Sequence, residues 1–186
     1  MKRETGLPLE VIGAEEEARL ALAGCASLLD ESAPHAFVFD IGGGSTELIW
    51  RRNVRAGLNG HKFDGAEAIA GLDDPKALRF HSVPVGVVTM AERHGHDRVT
   101  PAAYAAMVDQ ALDLLRPFET AETIGDEIAA GRVQMLGTSG TVTTLASVFF
   151  NLRRYSRLRV DGCYLDFESI RRISAEIAGL DYAGRA

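Results

Sequence analysis

The octapeptide Asp40-Ile41-Gly42-Gly43-Gly44-Ser45-Thr46-Glu47, set between Val38-Phe39 and Leu48-Ile49-Trp50, constrains this 186-residue chain more than any other stretch. The apolar runs on either side predict two strands, 35–41 and 45–51, and the three glycines predict the tight turn that joins them as a hairpin. An aspartate at the end of an apolar strand needs a cation or hydrogen-bond donors, because a buried unpaired carboxylate is costly. Glycines let backbone N–H groups approach an anion closely, and Ser45 and Thr46 add hydroxyl donors suited to phosphate oxygens. Glu47 lies across the hairpin from Asp40, so the two acids can meet at one divalent cation. Mg²⁺ fits best, since it takes few carboxylates and completes its shell with water and substrate phosphate. The plainer alternative is a Gly-rich turn whose aspartate satisfies turn amides, and the added Ser, Thr and Glu weigh against it. Two better-known glycine motifs do not match. The P-loop lysine is missing, and these glycines feed a strand where a dinucleotide fingerprint feeds a helix.

A second signal is VQMLGTSGTVTTLA, residues 133–146. It predicts a strand over 133–136, a turn at Gly137, Thr138, Ser139, Gly140 and Thr141, and a helix over 141–152. Free amides at the start of that helix form an anion site. Ser or Thr ahead of a helix is also ordinary N-capping, so this segment alone supports both readings. Beside the first glycine turn, anion binding is favoured.

A third signal is Glu15-Glu16-Glu17 at the start of a helix that runs on from Gly13. Its apolar stripe is Ala18, Ala21, Leu22, Cys25, Leu28 and Leu29, which puts Glu16 on the solvent side. Glu15 and Glu17 both flank the stripe, and either is a candidate general base for a water nucleophile. Periodicity does not choose between them. The plainer reading is a solvated acidic first turn favoured by the helix dipole.

The remaining pattern predicts a short strand at 9–12, a long connection over 53–78, a strand at 79–83 and a helix at 86–93. Helices follow at 101–118, 119–130 and 167–179. The whole is an α/β chain. Arg153, Arg154, Arg157 and Arg159 form a basic cluster that would attract a polyanion, although such runs more often form solvated loops, the preferred reading. Lys and Arg number 20 against 26 Asp and Glu, for a net charge of −6 and a pI near 5.4, which argues against a duplex nucleic-acid binder. No stretch approaches the ~20 apolar residues of a membrane helix, and no apolar run follows Lys2-Arg3 to suggest a signal peptide. Two cysteines build neither a disulfide framework nor a zinc site, and a cytoplasmic location is expected.

These residues resemble the exopolyphosphatase/guanosine pentaphosphate phosphohydrolase (Ppx/GppA) family, within the acetate kinase, sugar kinase, Hsp70 and actin superfamily. Three segments match in order: VIGAEEEARLALAG (11–24), FVFDIGGGSTELIW (37–50) and LGTSGTVTTLASV (136–148). SVPVGVVTMAERHG (82–95) resembles the family's Pro-Leu-Gly segment, and RVDGCYLDFESI (159–170) its stretch after the second glycine turn, with Asp161 where many members have histidine. The resemblance implies a ribonuclease H-like (actin-like) domain with a mixed sheet flanked by helices. It implies that Glu17 is the catalytic base and that Asp40 and Glu47 are the magnesium-site acids. Gly42, Gly43, Gly44, Ser45 and Thr46 would form one phosphate loop and Gly137, Thr138, Ser139, Gly140 and Thr141 the second.

The implied activity is Mg²⁺-dependent release of terminal phosphate from polyphosphate or guanosine pentaphosphate (pppGpp), with no nucleic-acid or membrane partner. Family members begin with a first domain carrying an Asp-x-Gly-(Thr/Ser)-Asn-Ser loop, which this sequence does not contain. Residues 1–186 are therefore expected to be the second actin-like domain of such a phosphatase, with the first domain and a C-terminal continuation absent and weak turnover alone. Exposed faces left by the absent segments raise the expectation of a homodimer. The alternatives are an ATP-dependent kinase or ATPase of the superfamily, and a non-catalytic polyphosphate- or nucleotide-binding domain.

Overall fold

The computed structural model describes residue 6 and residues 11–30, 32–52, 77–95 and 99–185. The described elements are α1 (Ala14–Gly24), a 3₁₀ turn (Ala26–Leu28), β1 (His35–Ile41), β2 (Thr46–Arg52), β3 (Leu78–Val83), α2 (Val87–His94), α3 (Pro101–Glu122) and α4 (Ile124–Ala129). They continue with β4 (Val133–Thr138), α5 (Ser139–Phe149), α6 (Arg157–Val160), α7 (Phe167–Gly179) and α8 (Tyr182–Arg185). The four described strands form one mixed sheet in the order β3-β2-β1-β4. β1 pairs antiparallel with β2 and parallel with β4, and β2 pairs antiparallel with β3. This is the ribonuclease H-like, actin-like α/β fold, with a mixed sheet flanked by helices.

Side chains alternate faces along a strand, and both faces of this sheet are apolar over most of their length. On one face Val38 and Ile49, register partners, cluster with Ala18 and Leu22 of α1. α1 thus buries the first half of the stripe read from sequence, Ala18 and Leu22 with Ala21 partly covered. It ends at Gly24, short of Cys25, Leu28 and Leu29, which lie in and beside the 3₁₀ turn that follows. On the other face Leu48, Trp50, Val83, Val85, Phe118 and Ile124 form the second cluster, against Phe37 and Phe39. His81 of β3 stacks on Phe118 of α3 at 5.7 Å between ring centres. Fully burying side chains such as Val38, Ile49 and Trp50 contributes roughly 1.5–3 kcal/mol each, which makes β1 and β2 the keel of the domain.

Several boundaries differ from the sequence reading. Leu9 and Glu10 lie outside the described residues, and Val11 and Ile12 form no strand there; Val11 is exposed. The connection over 53–78 lies outside the described residues up to 76. The helix expected to end at 118 continues through Pro117 to Glu122, because a proline forfeits one backbone bond and this ring faces solvent. The break falls at Thr123, whose left-handed φ of 53° turns the chain into α4, where Gly125 N–H donates to Glu119 Oε1 at 3.2 Å. β4 runs two residues further than expected, and α5 starts at Ser139 and ends at Phe149. Among the described residues no helix is long and apolar enough to cross a membrane.

Candidate phosphate site

Register places the chemistry. Asp40 is directly opposite Glu47 on β2 and Thr138 on β4, and Glu47 is opposite Ser82 on β3. Residues in register share a face, so Ser82, Glu47, Asp40 and Thr138 form one polar row across the sheet, on the face that α1 covers. Glu47 is 3% exposed and accepts a hydrogen bond from Ser82 Oγ at 2.9 Å. Thr138 Oγ1 is buried and has no hydrogen-bond partner among the described residues. A partnerless hydroxyl next to a carboxylate pair is the kind of buried polar atom that calls for a ligand.

The glycine turn begins at Gly42, two residues beyond Asp40. Gly42 N–H donates to Ser45 O at 3.0 Å and closes it. Its carbonyls are taken by the start of α2: Val87 N–H donates to Gly42 O, and Val88 and Thr89 N–H donate to Gly43 O. The amides of Gly43, Gly44 and Ser45 have no protein acceptor among the described residues, so they are the donors left for an anion. Thr46 Oγ1 donates to Val85 O at 2.7 Å and braces the turn.

The second loop is tied to the first. Ser139 Oγ and Thr141 Oγ1 both donate to the Ile41 carbonyl, at 2.6 and 3.2 Å. Gly137 sits against the Phe39 ring and Val142, where an added Cβ would come within 2.8 Å of the ring. Ser139 holds a left-handed φ of 75°, a conformation that costs a non-glycine residue about 1–2 kcal/mol and so needs its bond to Ile41. Ser139→Ala keeps that backbone cost and loses the tie, whereas Ser139→Gly loses the tie and relieves the cost. Thermal denaturation should therefore place the alanine variant below the glycine variant, by about 1 kcal/mol.

Glu17 does not join the polar row. It stands exposed in the first turn of α1, next to Ala18, which belongs to the same buried cluster as Val38 and Ile49. Glu15 and Glu16 are exposed too, and no group of three or more His, Cys, Asp or Glu side chains forms a metal cluster among the described residues. Two of the three expected acids thus stand in register on one face of the sheet, and the third lies in the first turn of the helix that covers that face.

Cys25, expected as a core residue, is half-buried, and its thiol pKa is raised first by burial and then by the carboxylates of Asp40 and Asp161. Both acids disfavour a nearby thiolate, so Asp40→Asn should increase the thiolate fraction. In a Cys163→Ser background, iodoacetamide at pH 8 should alkylate Cys25 faster in the Asp40→Asn variant than with Asp40 in place. An unchanged rate would place Asp40 away from the thiol.

Sequence reasoning assigned no role to Gly86. A Cβ there would lie 2.5 Å from Gly42 O and from Gly43 C and O, so glycine is what allows α2 to dock its first amides on the turn. The signal was the Pro84-x-Gly86 spacing ahead of a helix, but the partner of that glycine lies more than forty residues upstream. A cavity of about 780 Å³ opens on the opposite face, lined by Phe37, Phe39, Leu48, Met90, Leu115 and Met135 among others. Its nearly apolar walls are unsuited to a phosphate chain.

Asp40 near the end of β1, Glu47 near the start of β2 and the two turns beside them make an arrangement whose free amides suit an anion. The chain belongs to the Ppx/GppA phosphatase family, whose model matches residues 1–152. Among solved structures it is similar to an exopolyphosphatase-like protein, with a TM-score of 0.68 and 28% identity over 99% of this chain and 52% of that one. It is similar to a Ppx/GppA family member from Aquifex aeolicus, with a TM-score of 0.62 and 25% identity over 97% and 49% of the two chains. An exopolyphosphatase from Cytophaga hutchinsonii matches in fold, with a TM-score of 0.67 at 22% identity over 97% of this chain and 50% of that one. The chain spans about half the length of the structures it matches.

Proposed function

We propose that this chain is the second actin-like lobe of a Mg²⁺-dependent, cytoplasmic phosphoanhydride hydrolase that releases terminal phosphate from inorganic polyphosphate or guanosine pentaphosphate. The observation that carries the reading is the register row, which sets Asp40 and Glu47 side by side at the mouth of two turns joined through Ile41. The donor set consists of hard oxygens, with a buried hydroxyl lacking a partner beside it, and so it fits magnesium. Asp40 and Glu47 would hold the ion, which when bound neutralises charge on the phosphoryl oxygens.

The chain's own residues do the rest. The amides of Gly43, Gly44 and Ser45, with the N-terminal amides of α5, would grip the terminal phosphoryl group and orient it. Exposed Glu17 would accept the proton of the attacking water, which forms the new P–O bond as the bridging P–O bond to the rest of the chain breaks. The shortened chain leaves with the bridging oxygen and the electron pair of that broken bond, and the terminal group departs as orthophosphate carrying the oxygen of the water. Catalysis on this reading is chiefly positioning and charge neutralisation, and one lobe alone should turn over weakly.

Titration calorimetry with tripolyphosphate tests the reading. Binding should require Mg²⁺ and should weaken at least tenfold in Asp40→Asn and in Glu47→Gln. Binding that ignores both Mg²⁺ and these substitutions would remove the acids from the site. Phosphate release should occur from polyphosphate or guanosine pentaphosphate; release from ATP alone would move the chain to the kinase and ATPase branch.

A further inference from the structure

The cavity on the far face of the sheet is not used by the mechanism above. Its floor is the apolar side of β1 and β2, with Phe37, Phe39 and Leu48, and its walls come from α2, α3 and α4. At about 780 Å³ it far exceeds the water-sized voids of a packed interior and falls within the range of small-molecule sites. Val87 of α2, Leu112 of α3, Ile128 of α4 and Met135 of β4 all line it and are 36–50% exposed, so it opens to solvent between them.

The lining selects a class of ligand. Three of the chain's four methionines, Met90, Met107 and Met135, lie on it, and flexible thioethers adapt to a long apolar chain. Thr46 lends it no free donor, because its hydroxyl is given to Val85 O at 2.7 Å. Arg116 and Glu119 are the charged lining residues among those described. Glu119 is committed to the turn after α3, where its carboxylate accepts Gly125 N–H at 3.2 Å and the Thr120 hydroxyl at 3.3 Å. Arg116 reaches Asp113 only at 3.8 Å, with the two side chains 70% and 78% exposed, and such a pairing is worth little. Its guanidinium is therefore placed to meet an anionic head at the mouth of an apolar chamber.

We propose that this cavity binds one fatty acid, with the acyl chain between the sheet and α3 and the carboxylate at Arg116. The rival occupant is a second copy of the chain. The acid is favoured because the apolar surface is concave and walled by three helices, and a symmetric pair would have to push a projecting apolar element into it. Asp40, Glu47 and the amides of Gly43, Gly44 and Ser45 do not line the cavity, so fatty-acid binding and phosphate binding stand or fall separately.

The test is calorimetry with octanoate, laurate and dodecanol, each kept below the concentration at which it aggregates. Laurate should saturate at one per chain and raise the melting temperature, and octanoate should bind about tenfold more weakly or worse, because each buried methylene adds affinity. Arg116→Gln, a change at an exposed position, should weaken laurate about threefold at low salt and leave dodecanol unchanged. Ala111→Trp should fill the chamber and abolish binding of both, with circular dichroism checking the fold. Should that variant unfold, the contrast between acid and alcohol in Arg116→Gln decides alone. Laurate binding that survives in folded Ala111→Trp, or that ignores chain length, would overturn the cavity as the site. Equal effects of Arg116→Gln on acid and alcohol would overturn the carboxylate contact. A chain that dimerises with rising concentration in light scattering and takes up no laurate would make the mouth an interface between copies and overturn the fatty acid.

Discussion

Gly86→Ala is expected to lower stability by about 3 kcal/mol or more and to abolish phosphate binding. The new methyl group would sit 2.5 Å from Gly42 O and from Gly43 C and O, all of them backbone atoms that cannot swing aside. Overpacking of this kind costs about 1–3 kcal/mol. Separating the segments would also break the bonds from Val87, Val88 and Thr89 to the turn, each worth about 1 kcal/mol. Gly44→Ala is the control, since nothing lies within 4 Å of its added Cβ and its φ is not positive. That variant should melt with the parent and show its defect in tripolyphosphate affinity alone. Thermal melts and calorimetry on the pair separate a glycine required by the fold from one required by the ligand. A Gly86→Ala protein as stable as the parent would refute the docking argument.

The second large effect is kinetic. Glu17→Gln should cut phosphate release by about 10²–10⁴-fold, the usual contribution of a general base. Mg²⁺-dependent binding should stay within about twofold, because Glu17 lies outside the polar row. Its exposure predicts a stability change within about 0.5 kcal/mol. Glu16→Gln, on the opposite side of the helix from the apolar stripe, should leave release unchanged. Undiminished release in Glu17→Gln would remove it from the base role, and equal losses in both variants would point to the general charge of the helix start.

Much of this arrangement is legible in the sequence because the informative contacts are local. Asp40 and Glu47 belong to one hairpin, so alternation along two short apolar strands is enough to set them opposite each other. The stripe is equally local, and α1 buries its first part as read, at Ala18 and Leu22, although the helix ends at Gly24 and gives way to a 3₁₀ turn before Leu28 and Leu29. The second loop was recognised as a strand–turn–helix junction, but its attachment to Ile41 was not. That bond joins residues about a hundred positions apart, and nothing in either segment names the other. Gly86 escaped for the same reason. Val11 and Ile12 show the opposite error: two apolar residues read as strand, although a strand exists only where a neighbour completes its ladder. β4 gained two residues because pairing with β1 carries the ladder on to Asp40 and Thr138, into what composition alone marks as turn. Thr123 carried no glycine signal, so the left-handed break after α3 was placed several residues early.

The shared carbonyl of Ile41 has a mechanical consequence. One oxygen receives hydroxyls from both Ser139 and Thr141, and it stands immediately before the glycine turn. The two turns are thereby clamped to a common post, and neither can flex away from the other without tearing at least one of those bonds. Any motion that keeps both bonds must carry the two turns together, as one piece relative to the helix bearing Glu17.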